Sequence, residues 1–396
     1  MIIRNHYIDP IRPFFESDLI KIITGIRRSG KSVILEQIAD EYRLQGKPVL
    51  SLNFEKLEYS ADIPNAQALN EYVKERIPKD QKLYVFLDEV QLVEDWHIAC
   101  RSLRLENVSL FITGSNSKLL SGEFTKELSG RYVSFCVRPF VYKEIQEYVH
   151  QLGKTYPVSD YLIYGGFPKI FDLPDKAAIL SYLNDLNQTI IINDIMNRYK
   201  IRKTELFKRL VNYMLVSNAR IFSANSVQHY LSSEKMPCSI NTVMKYLSYL
   251  EEAYIIRKIS QYSTRTKREL SFYAKIYDED VSFNTIRQKN GRVDLTHNFE
   301  NIIYNELIYM GYTLSVFTKN DQEIDFLAQK DGKEYLVQAA YSVAEEKTYE
   351  REFALFNVLD QSRKKILITN DEVDLSTSTV EHIPMSRFLS MESLEG

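Results

Sequence analysis

Apolar and polar positions fall into distinct regimes along the 396 residues. In the first third, short continuous apolar runs alternate with stretches of helical spacing. Leu19-Ile20-Lys21-Ile22-Ile23, Lys47 to Phe54, Leu83 to Leu87, Val108 to Asn116 and Tyr132 to Val137 read as strands, the strongest of them buried on both faces of a parallel sheet. Between them, Val33, Ile34 and Ile38, then Asn65 to Arg76, Asp95 to Leu105 and Leu119 to Leu128, carry the helical period. From Phe140 to Tyr199 the pattern is helical, broken at Tyr164-Gly165-Gly166-Phe167-Pro168, where Gly-Gly before Phe-Pro forces a fixed turn. Ile190 to Lys203 reads as a last helix and linker. Thr204 to Val216, Ser223 to Leu231 and a serine-capped stretch from Ser239 to Leu250 predict three helices ahead of a strand pair, a winged-helix arrangement. A final segment predicts a helix from His297 to Met310, then strands around Leu314–Phe317, Glu323–Ala328 and Lys333–Ala339.

Composition adds little to this picture and removes several alternatives. With 44% hydrophobic and 26% charged residues, neither a disordered chain nor a fibre is indicated, and the length suits two or three domains. No run reaches the ~18 apolar residues of a membrane span, and Met1-Ile-Ile-Arg-Asn-His has no signal-peptide pattern, so a cytoplasmic protein without membrane association is expected. Cys100, Cys136 and Cys238 are too scattered for a disulfide framework or zinc site, and the six histidines have no partner at metal-ligand spacing. Charge changes the picture more. Lys200 to Lys275 holds 14 Lys/Arg against 5 Asp/Glu, a local +9 that leaves −12 on the rest of a chain whose net charge is −3. Such asymmetry points to a module facing a polyanion.

The first strand runs into Gly25-Ile26-Arg27-Arg28-Ser29-Gly30-Lys31-Ser32, followed by Val33, and this fits the phosphate loop G-x-x-x-x-G-K-[ST]. Backbone N–H groups can wrap a phosphate only where side chains do not block the approach, as at Gly25 and Gly30. Lys31 is placed to reach the β- and γ-phosphates, and Ser32 to ligate Mg²⁺ at the start of a helix. Leu83-Tyr84-Val85-Phe86-Leu87-Asp88-Glu89 ends a buried strand in two carboxylates. In a P-loop fold Asp88 would hold the Mg²⁺ shell, while Glu89 would orient or deprotonate the attacking water. Val108 to Asn116 ends beside the same place, because ligands bind at the carboxyl ends of parallel strands, so Ser115 or Asn116 is a candidate sensor of the terminal phosphate. Residues 1–18, with Arg4, Tyr7, Pro10 and Pro13, read as an arm against the nucleotide side.

The ordered set GIRRSGKS, VFLDEVQ, FITGSNSKLL, LSGRYVSFCVRPF and YGGFPKI resembles prokaryotic AAA+-superfamily ATPases with an AAA_14-type domain and a DUF4143-type C-terminal region. The resemblance implies an ASCE P-loop core with a helical lid, ATP and Mg²⁺ as ligands, and homo-oligomers. It places Ser115 and Asn116 as sensor 1 and Arg131 as the arginine finger, usually supplied by a neighbouring subunit. A structural arginine capping the core is the other reading of Arg131. In the basic segment, Ser239, Asn241, Thr242, Lys245 and Ser248 are of types that contact phosphates and bases, and Arg257, Lys258, Arg265, Lys267 and Arg268 form a basic wing. DNA binding and protein docking are both open for such a module. Glu300 and Asp325 resemble the acidic positions of the PD-(D/E)XK nuclease fold, but Gln338-Ala339-Ala340 stands where E-x-K is required, so a nuclease-like domain that does not cut is expected. The expected organisation is an α/β P-loop core over 1–138, helical lid over 139–199, winged helix over 200–283 and nuclease-like α/β domain over 284–396. Its expected function is ATP hydrolysis coupled to duplex or branched DNA; the alternative is a nucleotide-gated scaffold for protein partners.

Overall fold

The computed structural model describes residues 2–114, 128, 130–262, 274–288, 292–319, 322–357 and 363–395, the side chains of 191–193, 319 and 357 apart. Two compact units emerge: Met1–Pro139 with Glu252–Tyr254, and Phe140–Glu251 with Ile255–Gly396.

The first unit is built on strands β1 (Ile20–Thr24), β2 (Val49–Asn53), β3 (Leu83–Asp88), β4 (Val108–Thr113) and β5 (Tyr132–Cys136), parallel throughout in the order β2-β3-β4-β1-β5. These are the five apolar runs of the sequence, and β1, β3 and β4 are buried at every position, as their unbroken apolar character requires. β4 enters between β1 and β3, so the strand that follows Asp88 in the chain lies between the phosphate loop and Asp88's own strand. Helices Lys31–Leu44, Ala66–Lys74 and Trp96–Leu103 connect them; Asn65 caps the second by accepting from the Ala68 N–H. On one side of the sheet Phe86 and Phe111 stack at 4.6 Å and Tyr42 lies over Tyr84 at 3.8 Å. Trp96 is buried in the core on the other side with Val85, Leu87 and Ile112, so it packs rather than recognises. The core also takes in a charged side chain. Lys21, wholly buried in β1, donates to Ser109 Oγ at 2.7 Å and Ser17 O at 3.3 Å, with its ammonium 4.6 Å from the centre of the Phe111 ring.

The second unit opens with helices Tyr142–Gln151, Val158–Tyr164 and Lys176–Gln188, the last passing into a π-helical stretch, Thr189–Met196, where a continuing α-helix is expected from sequence. Gly165-Gly166 is a close-approach site. Gly165 has φ +70° and a Cβ there would lie 1.9 Å from Asp280 Oδ1, while a Cβ on Gly166 would lie 2.0 Å from the Phe140 carbonyl oxygen. Gly166 N–H donates to Asp280 Oδ2 at 2.8 Å, and its carbonyl accepts from Phe140 N–H at 2.8 Å. Helices Thr204–Val216, Ala224–Ser233 and Ile240–Glu252 follow, with β6 (Arg220–Phe222) between the first two. β7 (Ile256–Tyr262) and β8 (Ala274–Asp278) form the expected antiparallel pair.

That pair is part of a larger sheet. β9 (Thr313–Lys319), β10 (Gln322–Lys330), β11 (Lys333–Ala340), β12 (Lys364–Thr369) and β13 (Glu381–Pro384) complete eight strands in the order β13-β12-β11-β10-β9-β7-β8-β6. The junction is a parallel pairing of β7 with β9, Gln261 opposite Val316 and Tyr262 opposite Phe317. Helix Leu295–Tyr309, capped by Asp294, buries Phe299, Ile302, Ile303 and Leu307.

Candidate nucleotide site

The carboxyl ends of β1, β3, β4 and β2 converge on one set of side chains. After Thr24 the chain turns at Gly25, whose φ of +135° and close approach to β5 both demand glycine: a Cβ would sit 2.0 Å from the Val137 carbonyl oxygen. Sequence reasoning assigns Gly25 to the approach of phosphate; the structure adds the neighbouring strand as a second reason. Gly30, at φ +97°, begins the helix Lys31–Leu44, whose first N–H groups and positive end face the loop. Arg28 is exposed with φ +68°, and Arg27 is half-buried, 3.8 Å from Glu55. Ser29 is buried, and Val33 is half-buried in the first helical turn.

Lys31 is 4% exposed and donates to two carbonyls of its own loop, Gly25 O at 3.1 Å and Ile26 O at 2.9 Å. Burial pulls its ammonium down to about 8, against the upward pull of Glu89 and Asp88. Ser32 Oγ donates to Asp88 Oδ1 at 3.0 Å. Asp88 is then held from two further strands. Asn53, last residue of β2, donates from Nδ2 to Asp88 Oδ2 at 3.0 Å, and Thr113, last residue of β4, donates from Oγ1 to Asp88 Oδ1. The Thr113 oxygen also accepts the Glu89 N–H at 3.0 Å, so one hydroxyl sets the positions of both acidic residues. Glu89 has φ +54°, a left-handed conformation that costs a non-glycine residue of order 1 kcal/mol or more, and Gln91 Nε2 donates to its Oε2.

A hydroxyl beside a carboxylate whose second oxygen is fixed by an amide is a hard-oxygen donor set, and Ser32 and Asp88 fit Mg²⁺ on that ground. A bound Mg²⁺ neutralises charge on phosphate oxygens. Among the described residues no group of three His, Cys, Asp or Glu is spaced to hold a metal ion.

Two residues escaped sequence reasoning, and a third was placed only roughly. Asn53 and Thr113 are invisible as partners of Asp88 until the strand order is known. Arg4, buried in the N-terminal arm, donates to Ser29 O at 2.9 Å and Arg138 O at 3.0 Å, tying the phosphate loop to the residue that follows β5 and Val137. The sequence places Arg4 in an arm against the nucleotide side, but not its two backbone partners. Ser115 and Asn116 lie outside the described residues. Arg131 is not brought to this site: it immediately precedes β5, and its carbonyl accepts the Ile20 N–H at the amino end of β1. The phosphate loop leaves the opposite end of that strand, some 15 Å away at ~3.3 Å per residue.

In the basic segment, Asn241 and Lys245 are exposed on helix Ile240–Glu252. The other candidate hydroxyls are engaged locally: Ser239 Oγ accepts the Thr242 N–H at 3.2 Å as the expected cap and lies 3.0 Å from Thr242 Oγ1, and Ser248 Oγ donates to Lys245 O. Two of the expected wing cations are paired with carboxylates, Arg257 with Glu279 at 2.8 Å and Lys258 with Glu251 at 2.7 Å. Arg265, Lys267 and Arg268 lie outside the described residues.

A loop-to-helix phosphate cradle, a buried lysine and a strand-end acid pair behind an inserted strand define a P-loop ATPase. Residues 17–146 match the family model AAA_14, described as an AAA domain. Residues 156–287 match a domain of unknown function, DUF8612, where the sequence resemblance implies a DUF4143-type region. An uncharacterized protein of Haemophilus influenzae is 36% identical over 384 residues, 93% of each chain, and one of Methanocaldococcus jannaschii is 28% identical over 92% of this chain and 87% of its own. The chain belongs to the same family as the Haemophilus protein. Among solved structures, the Walker-type ATPase PABY2304 of Pyrococcus abyssi aligns with 72% of this chain and 96% of its own at 16% identity and a TM-score of 0.49. No helix among the described residues is long and apolar enough to cross a membrane.

Proposed function

We propose that this ATPase uses Mg²⁺·ATP turnover to reposition its C-terminal module on a nucleic acid, duplex or branched DNA. The observation that carries the hydrolytic half is the convergence of Ser32, Asn53 and Thr113 on Asp88, with Thr113 also fixing Glu89. In the proposed cycle Lys31 transfers its hydrogen bonds from the Gly25 and Ile26 carbonyls to β- and γ-phosphate oxygens. Ser32 and Asp88 hold the metal, Glu89 orients the attacking water and takes its proton, and Ser115 or Asn116 senses the γ-phosphate. Arg131, at the far end of β1 from its own loop, serves a neighbouring subunit's site. Support for the DNA half is narrower: the local +9 of residues 200–275 and the exposed Asn241 and Lys245 on one helix of the proposed winged helix.

The two halves are tested separately. Glu89→Gln is expected to bind ATP with little change and to lose turnover by at least a hundredfold; near-normal turnover would remove Glu89 from its role. Fluorescence anisotropy with duplex and four-way-junction DNA is expected to give binding that weakens steeply with salt, with Lys245→Ala reducing the slope of log K against log salt by about one. Absence of binding at low salt would leave the ATPase intact and favour the nucleotide-gated protein scaffold.

A further inference from the structure

One charged side chain reaches the backbone of the phosphate loop from outside it. Arg4, in the N-terminal arm, is 3% exposed, and its guanidinium forks between two carbonyls, Nη1 donating to Ser29 O at 2.9 Å and Nη2 to Arg138 O at 3.0 Å. The seat around it is built. The guanidinium lies 4.4 Å from the centre of the Tyr7 ring, and the Tyr7 hydroxyl accepts the Arg138 N–H at 3.4 Å. The arm is fastened along helix Lys31–Leu44 by Gln37, which donates to Ile2 O at 2.6 Å, and by Glu41, which takes both terminal nitrogens of Arg12 at 2.7 Å. The two carbonyls serve opposite ends of the loop. Ser29 stands directly before Gly30-Lys31. Arg138 follows Val137, whose N–H donates to Thr24 O at 2.8 Å and whose carbonyl is the group against which Gly25 packs. One planar fork therefore braces the end of the loop against the strand exit that holds its beginning.

We infer that Arg4 is a positioning residue for nucleotide phosphate: by holding the Ser29 carbonyl it turns the N–H of Gly30, which belongs to the same peptide unit, into the phosphate cradle. The inference rests on the ATPase reading of this loop. Its geometry is that of a single plane. No peptide bond among the described residues is cis, and in a trans peptide the C=O and N–H point in opposite directions, so a carbonyl pinned toward Arg4 fixes the N–H away from it. Gly30 leaves that plane free to turn, since at φ +97° it carries no Cβ to restrain it. A Cβ there would lie 3.6 Å from Arg4 Nη1, so the guanidinium sits against the one unit of the loop that most needs fixing. A positive charge on the carbonyl also polarises the peptide and makes its N–H the stronger donor. Lys31 braces other peptides of the same loop, through the Gly25 and Ile26 carbonyls. When Lys31 turns to phosphate, Arg4 keeps its bonds, because its partners are backbone and not ligand. An N–H fixed in this way meets phosphate oxygen in the bound and the reacting states alike, so Arg4 contributes to binding more than to the chemical step.

The test is calorimetric titration of the full-length protein with Mg²⁺·ADP, beside steady-state ATP hydrolysis. Arg4→Met keeps much of the stem and removes the fork. It is expected to weaken ADP binding and to raise KM for ATP together, by about tenfold or more, with kcat changed less than about threefold, which is the pattern of a uniform loss of binding. Arg4→Ala with millimolar ethylguanidinium is expected to recover most of the lost ADP affinity, and with ethylammonium, which lacks the fork, to recover little. Recovery with neither assigns the loss to the fold and overturns the inference. Parental ADP affinity in an Arg4→Met protein of parental circular dichroism overturns it too, as does a fall in kcat with KM unchanged. Should Arg4→Met fail to fold, Arg4→Lys decides, since it keeps the charge but not the planar fork: ADP binding weaker by about threefold or more is expected, and parental affinity would leave Arg4 a structural role only. Failure of the parent itself to bind ADP or ATP would strike the ATPase reading, and the role of Arg4 with it.

Discussion

At the scale of single residues, Thr113 concentrates more consequence than its size suggests. Its hydroxyl is at once the donor to Asp88 and the acceptor from Glu89 N–H, so it couples the acid proposed to hold the metal to the one proposed to orient the water. Thr113→Val preserves shape and removes both bonds. The expected result in steady-state assays is a fall in kcat of about 10- to 100-fold with KM for ATP changed less than about threefold, because misalignment penalises the chemical step more than binding. Lys21 makes a different prediction. Burial, helped by Lys82 and opposed by Glu16 and Asp18, pulls its ammonium down to about 7, whereas an unfolded lysine releases its proton near ~10.4. Between those values the unfolded chain holds the extra proton, so stability rises with pH from about 7 to about 10. Thermal unfolding across that window is expected to show the rise in the parent and to lose it in Lys21→Met, which should be the more stable protein at pH 7, by up to about 4 kcal/mol.

At the scale of elements, what was legible in the sequence and what was not separate along physical lines. The strands β1, β3 and β4 announced themselves because full burial on both faces writes an unbroken apolar run, and the phosphate loop because its backbone demands glycine and its chemistry lysine. The cap at Ser239 was legible for the same local reason. Asn53 and Thr113 were not, since their role follows from β2 and β4 ending beside β3, a matter of strand order rather than spacing. Lys275 misled in another way. It counted toward a basic, DNA-facing segment, yet it is buried among carboxylates, and Arg257 and Lys258 are paired as well. Charge along a chain gives the sum, not the side on which each charge ends. Gly165 shows an element held by what it lacks. Gly165→Ala would place a methyl group on Asp280 in a left-handed turn, and calorimetric unfolding is expected to show a loss of about 2–4 kcal/mol, with nucleotide binding at the first unit preserved.

At the scale of the whole molecule, Arg131 bears on assembly. It stands beyond the amino end of β1, remote from the phosphate loop it would have to serve in its own chain. If it completes a neighbour's site, turnover per subunit should rise with protein concentration and mass should rise in parallel. Arg131→Ala should flatten the activity curve without abolishing ATP binding. Concentration-independent turnover in the parent would assign Arg131 to the structural role instead.

The parallel pairing of β7 with β9 carries a consequence for how the chain can be divided. The two strands meet although more than fifty residues separate Gln261 from Val316, and neither side of the sheet has a finished border without the other. A shortened chain ending after residue 288 would present the N–H and C=O row of β7 to solvent as an open template for the next copy, the situation that leads to edge-to-edge aggregation. Synthesis presents the same condition for a time: until β9 has left the ribosome, the edge of β7 away from β8 waits unpaired, and the second unit closes its sheet only when nearly all of the chain is made.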